Sequence, residues 1–184
     1  MRIDMLYLSK TKAMDHPNSE SINNLLAAAC QKTCSSCCKK GKIFLPDAEY
    51  DSVSAWIEMN SPAELDEFKS RSQRHDGFSL YDQKDICQFL DDENRCRLHS
   101  EGVKPRECFW WPLHLYLDDR QNVEIRASTS CCDAFFHLAP ESQYVHDLQV
   151  EAESLGFDVL ERFRSVYPGS YSGVLLKTFD LRNH

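Results

Sequence analysis

Nine cysteines carry most of the chemistry open to this 184-residue sequence. Cys30, Cys34, Cys37 and Cys38 fall in one short stretch, followed by Cys87, Cys96, Cys108 and the adjacent pair Cys131 and Cys132. Thiolates are soft donors that suit zinc, iron–sulfur clusters and copper(I). The Cys30-x3-Cys34-x2-Cys37 spacing lets three thiolates of one loop grip three corners of a cubane cluster. It differs from a zinc ribbon, which needs two short CxxC knuckles. Cys87 and Cys96 lie across an expected hairpin that can bring both to one end, so Cys108 and Cys131–Cys132 must arrive by tertiary folding.

Adjacent cysteines rarely chelate one ion together, because their side chains diverge. Cys37 and Cys38 therefore serve two centres, or one of them is a buried thiol, and the same holds for Cys131 and Cys132. Uncompensated thiolate charge is costly to bury. Lys39, Lys40 and Lys42 beside the first cluster, and Arg95, Arg97 and Arg106 beside the others, are expected to offset it and lower the thiol pKa values. Free cysteine also serves as a small core hydrophobe. That explains two or three thiols, but not nine with two adjacent pairs.

The elements that must position these thiols follow from patterning. A helix is expected from Asn18 or Ser19, with Ile22, Leu25, Leu26 and Ala29 as its buried stripe, breaking near 33–36 into a loop that wraps a metal. Lys42 to Pro46 reads as a short strand. Asp47 is placed to cap a helix over Ala48 to Met59, with Val53, Trp56 and Ile57 facing inward. Ser61-Pro62-Ala63-Glu64 has the form of a capping box with proline at the first helical position, opening a helix that carries Leu65 and Phe68. Arg71 to Gly77 reads as a polar loop and Gly77 to Tyr81 as an edge strand. A tight hairpin is expected over Asp85 to His99, and a second pairs Leu113–Leu117 with Val123–Ala127. An amphipathic helix follows from Glu141 to about Tyr167, kinked or split at Gly156, and Val174 to Leu181 reads as a closing strand or docked tail.

The expected class is α+β: a small single domain over 1–184, with helices and short β-hairpins packed around a cysteine-ligated metal or iron–sulfur site. Its core spans about 30–132, and a C-terminal helix and tail span about 140–184. Hydrophobic residues make up 42%, enough for a core, and no apolar run approaches the roughly 20 residues of a membrane span. The net charge of −8 argues against broad nucleic-acid binding, which needs a basic face. The N-terminal residues lack the pattern of a signal peptide, so a cytoplasmic address with reduced thiols is expected.

Histidines, aromatics and carboxylates add further candidates. His99 and His114 are candidate ligands whose default role is packing, and His137 and His146 read as ordinary. Phe109, Trp110 and Trp111 read as packing around the site, with base stacking or partner contact as the sharper alternative. Asp85, Glu101 and Glu107 are candidate acid–base groups whose default is solvated surface.

Taken in order, Cys30-x3-Cys34-x2-Cys37-Cys38, Cys87-x-Phe89-Leu90, Cys96-x-Leu98-His99 and Lys104-Pro105-Arg106-x-Cys108-x3-Pro112 resemble the YkgJ-type cysteine-cluster family (CxxCxxCC), described as a zinc- or iron-chelating domain. The sequence departs from that pattern at His99, where the family often has Tyr-Glu, and at Lys104, where it has Arg. The resemblance implies a metal-chelating domain. Its expected cofactor is an iron–sulfur cluster, for which [4Fe–4S] fits the spacing, or zinc. The candidate ligands are Cys30, Cys34, Cys37, Cys38, Cys87, Cys96, Cys108, Cys131 and Cys132. An iron centre points to a redox, sensing or cluster-dependent modification role with an unspecified protein partner or substrate. A structural zinc centre points to protein interaction. The first-cluster spacing also occurs in radical-SAM enzymes, but their barrel needs many more strand–helix units than this chain holds.

Overall fold

The computed structural model describes residues 38–39, 41–128, 140–166 and 173–182. The expected N-terminal helix and its break, Lys40, Cys30, Cys34, Cys37, Cys131, Cys132 and His137 lie outside the described residues. Within them the chain is α+β, built from helices and two three-stranded antiparallel sheets.

The first sheet has the order β1–β3–β2, from β1 (Lys42–Pro46), β2 (Ser72–Arg74) and β3 (Phe78–Asp82). Register places Phe44 opposite Leu80 and Gln73 opposite Leu80 from the other side. β3 is thus the central strand, not an edge, and part of the expected Arg71–Gly77 loop is strand β2. Four consecutive β3 residues, Phe78, Ser79, Leu80 and Tyr81, are buried because both faces of the sheet are covered. Side chains alternate between the faces. Ile43, Leu45 and Tyr81 enter a core with Val53, Ile57, Phe68, Phe89 and Leu98, while Phe44, Phe78 and Leu80 enter a smaller one. The polar Ser79 disguised the strand's burial.

Helix α1 (Asp47–Asn60) covers the larger core with Val53 and Ile57, four residues apart on one face, and Trp56 packs at its margin. Each fully buried aliphatic side chain of this kind stabilises by about 1.5–3 kcal/mol. Asp47 is the first helical residue and not the cap, which is Pro46. Asp47 and Glu49 nevertheless complement the positive end of the helix dipole. The expected capping box does not close. Pro62–Glu64 form a 3-10 turn, Ser61 makes no side-chain cap, and Glu64 reaches across to Arg97 at 2.5 Å. Helix α2 (Leu65–Arg71) follows and buries Phe68.

The expected hairpin over Asp85 to His99 is not a ladder. One isolated bridge joins Leu90 and Cys96, closed by a turn in which Asp91 Oδ1 accepts from the N–H groups of Glu93 and Arg95 at 2.9 and 2.8 Å. Cys87, Phe89 and Leu98 instead anchor the loop by entering the core.

After the short helix α3 (Arg106–Trp110), strands β4 (Leu113–Leu117), β5 (Val123–Ser128) and β6 (Gly173–Phe179) form the second sheet, in the order β4–β5–β6. The β4–β5 hairpin is as expected, turned by Asp118, whose Oδ1 accepts from the N–H of Arg120 and of Asn122 at 2.8 and 2.7 Å. A Cβ on Gly173 would meet the Ala127 carbonyl oxygen at 2.8 Å, so β6 can close on β5 there only with glycine. Helix α4 (Gln143–Leu155) buries Tyr144, Val145, Leu148 and Ala152 against this sheet. Val150, read as core, is 36% exposed. Gly156, at φ +80°, splits the expected helix, and α5 (Phe157–Val166) follows. α5 joins the two halves: Leu160 enters the second core, while the Phe163 ring stands 4.8 Å from Phe44 on the first sheet.

Candidate metal centre

Three separated pieces of chain bring four thiols to the core under the first sheet. Cys38 precedes β1, and its carbonyl accepts the Cys87 N–H at 2.6 Å, tying the first arm to the second. Cys87 and Cys96 lie on the loop after β3. Its turns are held by Leu90 N–H to the Cys87 carbonyl at 3.1 Å and Arg97 N–H to the Phe89 carbonyl at 2.8 Å. Cys108 sits on α3, whose start is set by Pro105, the acceptor of the Cys108 N–H at 3.0 Å. Tyr144 fastens the end of α3 from the other half, its hydroxyl donating to the carbonyls of Phe109 and Trp111. Cys87 is buried in this core, and Cys38, Cys96 and Cys108 pack against it.

The thiols sense one another. Burial pushes the Cys87 thiol up to about 11, and the nearby Cys38 and Cys96 push it the same way. Burial likewise raises Cys96, and raises Cys108 far above the ordinary thiol value, with Cys87 and Cys96 adding to the latter. With their pKa values raised, Cys87, Cys96 and Cys108 carry protons at neutral pH unless a cation compensates the thiolates. A soft metal ion would supply that compensation, and its binding would release the thiol protons. The donor set therefore fits a thiolate-bound metal. Among the described residues, no group of three or more His, Cys, Asp or Glu side chains is arranged to hold an ion by itself. The other five thiols lie outside those residues.

The expected countercharges are arranged differently. Arg95 turns to Asp91 and Glu93, both at 3.0 Å, and Arg106 bridges Glu49 at 3.0 Å and Glu151 at 2.7 Å. Arg97 pairs with Glu64 yet still lies within the field of Cys87 and Cys96. The cation that opposes the rise at both Cys96 and Cys108 is Lys104, held 4.6 Å over the Phe109 ring.

His99 packs against Phe109 with ring centroids 5.7 Å apart, and burial followed by Lys104 lowers its pKa. His114 lies on β4, edge-on to Trp111 at 5.0 Å, and burial lowers it to about 4. His146 is exposed on α4, as expected. Trp110 is buried in the second core, so the Phe-Trp-Trp run packs around α3. Asp85 and Glu101 are exposed, but Glu107 is not a solvated group. Its carboxyl is enclosed, accepts the Phe44 N–H and is pushed up to about 8 by burial, with nearby Glu49 adding to the rise. It borders a narrow cleft also lined by His114, Leu160, Phe163 and Arg164.

Sequence reasoning missed Glu49, which accepts the Arg106 N–H at 3.1 Å and is raised to about 7 by burial against the pull of Arg106. It also missed Tyr81 and Arg71 beside Cys87. No local signal marks these residues, because each meets its partner only across the fold.

No helix among the described residues is long and apolar enough to cross a membrane. No match to the chain was found among curated proteins or among solved structures. The family model CxxCxxCC, described as a "putative zinc- or iron-chelating domain", matches residues 29–133, a span that holds all nine cysteines. Since that span is more than half of the chain, the protein belongs to the CxxCxxCC family.

Proposed function

We propose that this protein is a cytoplasmic metal-chelating protein that holds iron as an iron–sulfur cluster, with [4Fe–4S] the form that fits its first cysteine arm. In this reading Cys30, Cys34 and Cys37 supply three of the four thiolates that such a cluster takes, and the fourth comes from among Cys87, Cys96, Cys108, Cys131 and Cys132. The five thiols left over, Cys38 among them, serve a further centre or stay as buried thiols. The observation that carries the reading is the convergence of Cys38, Cys87, Cys96 and Cys108 from three pieces of chain into one core, where burial disfavours uncompensated thiolates. A bound cluster supplies one-electron chemistry or a labile centre for sensing. The protein's own part is to gather the sulfurs, exclude water with Phe89 and Leu98, and hold a positive field through Lys104 and Arg97. The role is redox, sensing or cluster-dependent modification of a protein partner.

A structural zinc site is the second reading. It is favoured by the sparse backbone pairing of the loop that bears Cys87 and Cys96, which gains most from a metal staple. Anaerobic purification with a visible spectrum, metal analysis and acid-labile sulfide separates the two. A brown protein with iron and sulfide is expected, and a colourless protein with stoichiometric zinc sinks the iron reading.

A further inference from the structure

The loop that delivers Cys87 is gripped by two side chains that are not themselves candidate ligands. Arg71, at the end of α2, donates through Nη1 to the Ile86 carbonyl at 2.8 Å and to the Gln83 carbonyl at 3.3 Å. Tyr81, on the central strand, is 1% exposed, and its hydroxyl accepts the Gln88 N–H at 3.3 Å. The same hydroxyl lies near both the Cys87 side chain and the Arg71 guanidinium. Residues on both sides of Cys87 are thus pinned, with a buried phenol beside them.

A phenol has one proton to donate. Two acceptors compete for it: the Gln88 Oε1 at 3.4 Å, a long contact, and the Cys87 sulfur. The amide oxygen is neutral, whereas a metal-bound sulfur is a thiolate. Hydrogen bonds to a charged partner are about twice as strong as neutral ones. The guanidinium also draws electron density from the phenol oxygen, which makes its proton a better donor. Both effects direct the proton to sulfur once a metal is bound.

We propose that Tyr81, backed by Arg71, is a positioning residue that donates a hydrogen bond to the Cys87 sulfur and so orients and tunes it as a metal ligand. This rests on the reading of Cys87 as a ligand. Partners of this kind hold a ligand in its binding rotamer and withdraw charge from the donor atom, and their loss typically costs about 10- to 100-fold in metal affinity.

The test uses the full chain titrated with Co(II), whose thiolate charge-transfer bands report the donor strength of sulfur. Tyr81→Phe keeps the ring that packs on Phe68 and Phe89 and removes only the hydroxyl. Its circular dichroism and Co(II) stoichiometry should match the unaltered protein. The charge-transfer band should move to longer wavelength, because a sulfur freed of its hydrogen bond gives up charge more readily. Competition with a chelator should show affinity lower by roughly 10-fold or more. Phe68→Leu, which loosens the same core without touching the hydroxyl, should leave the band in place. Arg71→Lys provides the second variant if Tyr81→Phe does not fold. It keeps the charge, loses the planar fork, and should shift the band the same way by less. An unmoved band and unchanged affinity in the variant that folds overturn the proposal while leaving the metal reading intact. If Cys87→Ser retains the full thiolate spectrum of the unaltered protein, Cys87 is no ligand and the proposal for Tyr81 falls, while the other thiols still carry the metal reading.

Discussion

The two halves of the molecule are built by different means. In the second half, strand β5 is laddered on both sides, from Leu113 opposite Ala127 to Leu117 opposite Val123, and again along β6. Its core is aliphatic and aromatic, with Leu113, Val123, Ile125, Ala127 and Val145 fully shielded. The first half begins in the same way, with a small sheet under α1 and α2. Between Asp82 and Arg106, however, the chain has a single isolated bridge and a series of turns. There the core contacts are made by Cys87, Cys96, Phe89 and Leu98, with Cys38 and Cys108 packed against the same core. The comparison teaches that the second half is held by pattern and pairing, whereas the first leaves a thiol-rich stretch with little backbone pairing of its own.

The largest expected effect follows directly. Stripping the metal with a strong chelator, or Cys108→Ser, should remove hydrogen-exchange protection from the loop carrying Cys87 and Cys96 while β4 and β5 stay protected. Structural metal sites in small domains contribute on the order of 10 kcal/mol, so the local loss should be nearly complete. Equal loss of protection in both halves would break the comparison.

Core truncation should separate the halves from the other direction. Ile125→Ala, in the second core, should cost about 2–5 kcal/mol in denaturant unfolding and leave the ratio of bound metal to folded protein unchanged. Phe68→Ala should cost about 3–5 kcal/mol and weaken metal binding as well, since Phe68 packs on Tyr81 and Phe89 beside Cys87.

The second half should also carry its own acid sensitivity through His114. Burial lowers its folded-state pKa to about 4, while the unfolded value stays near 6.5. The unfolded chain therefore binds more protons between those limits. The contribution of His114 is fully present above about pH 6.5 and is lost as pH falls toward 4, by at most about 3 kcal/mol. Stability curves measured across that window should flatten in His114→Phe, and an unchanged slope would show that other groups set it.

The smallest effect belongs to the Glu64–Arg97 pair, whose side chains are 34% and 31% exposed. Glu64→Gln should cost about 1 kcal/mol or less in thermal unfolding. A larger loss that appears only in the metal-loaded protein would mean that Arg97 acts mainly on the thiols.

What was legible in advance divides along the same line. Period-two alternation of Leu113, Leu115 and Leu117 and the turn residues after them were enough for the β4–β5 hairpin. The spacing of Val53 and Ile57 was enough for α1, and Gly156 marked the split between α4 and α5. β3 was misread as an edge because Ser79 breaks its apolar run, and burial there is decided by α1 and α2 on one face and α5 on the other. The capping box at Ser61 was misread because Glu64 has a stronger offer from Arg97, 33 residues away. Glu107 passed for a surface group because nothing local shows that Phe44 will present its N–H to it.

The sequence by itself determined the donor chemistry and the class of the fold. Nine thiols in a characteristic order name soft-metal ligation, and short-range periodicity names helices and antiparallel strands, because both are properties of residue type and near spacing. Only the tertiary structure decided which groups stand around the described sulfurs: Lys104 near Cys96 and Cys108, Tyr81 and Arg71 near Cys87, and Arg106 turned away to Glu49 and Glu151. Those assignments depend on charge and hydrogen bonding between residues distant in sequence, which become neighbours only when the core closes.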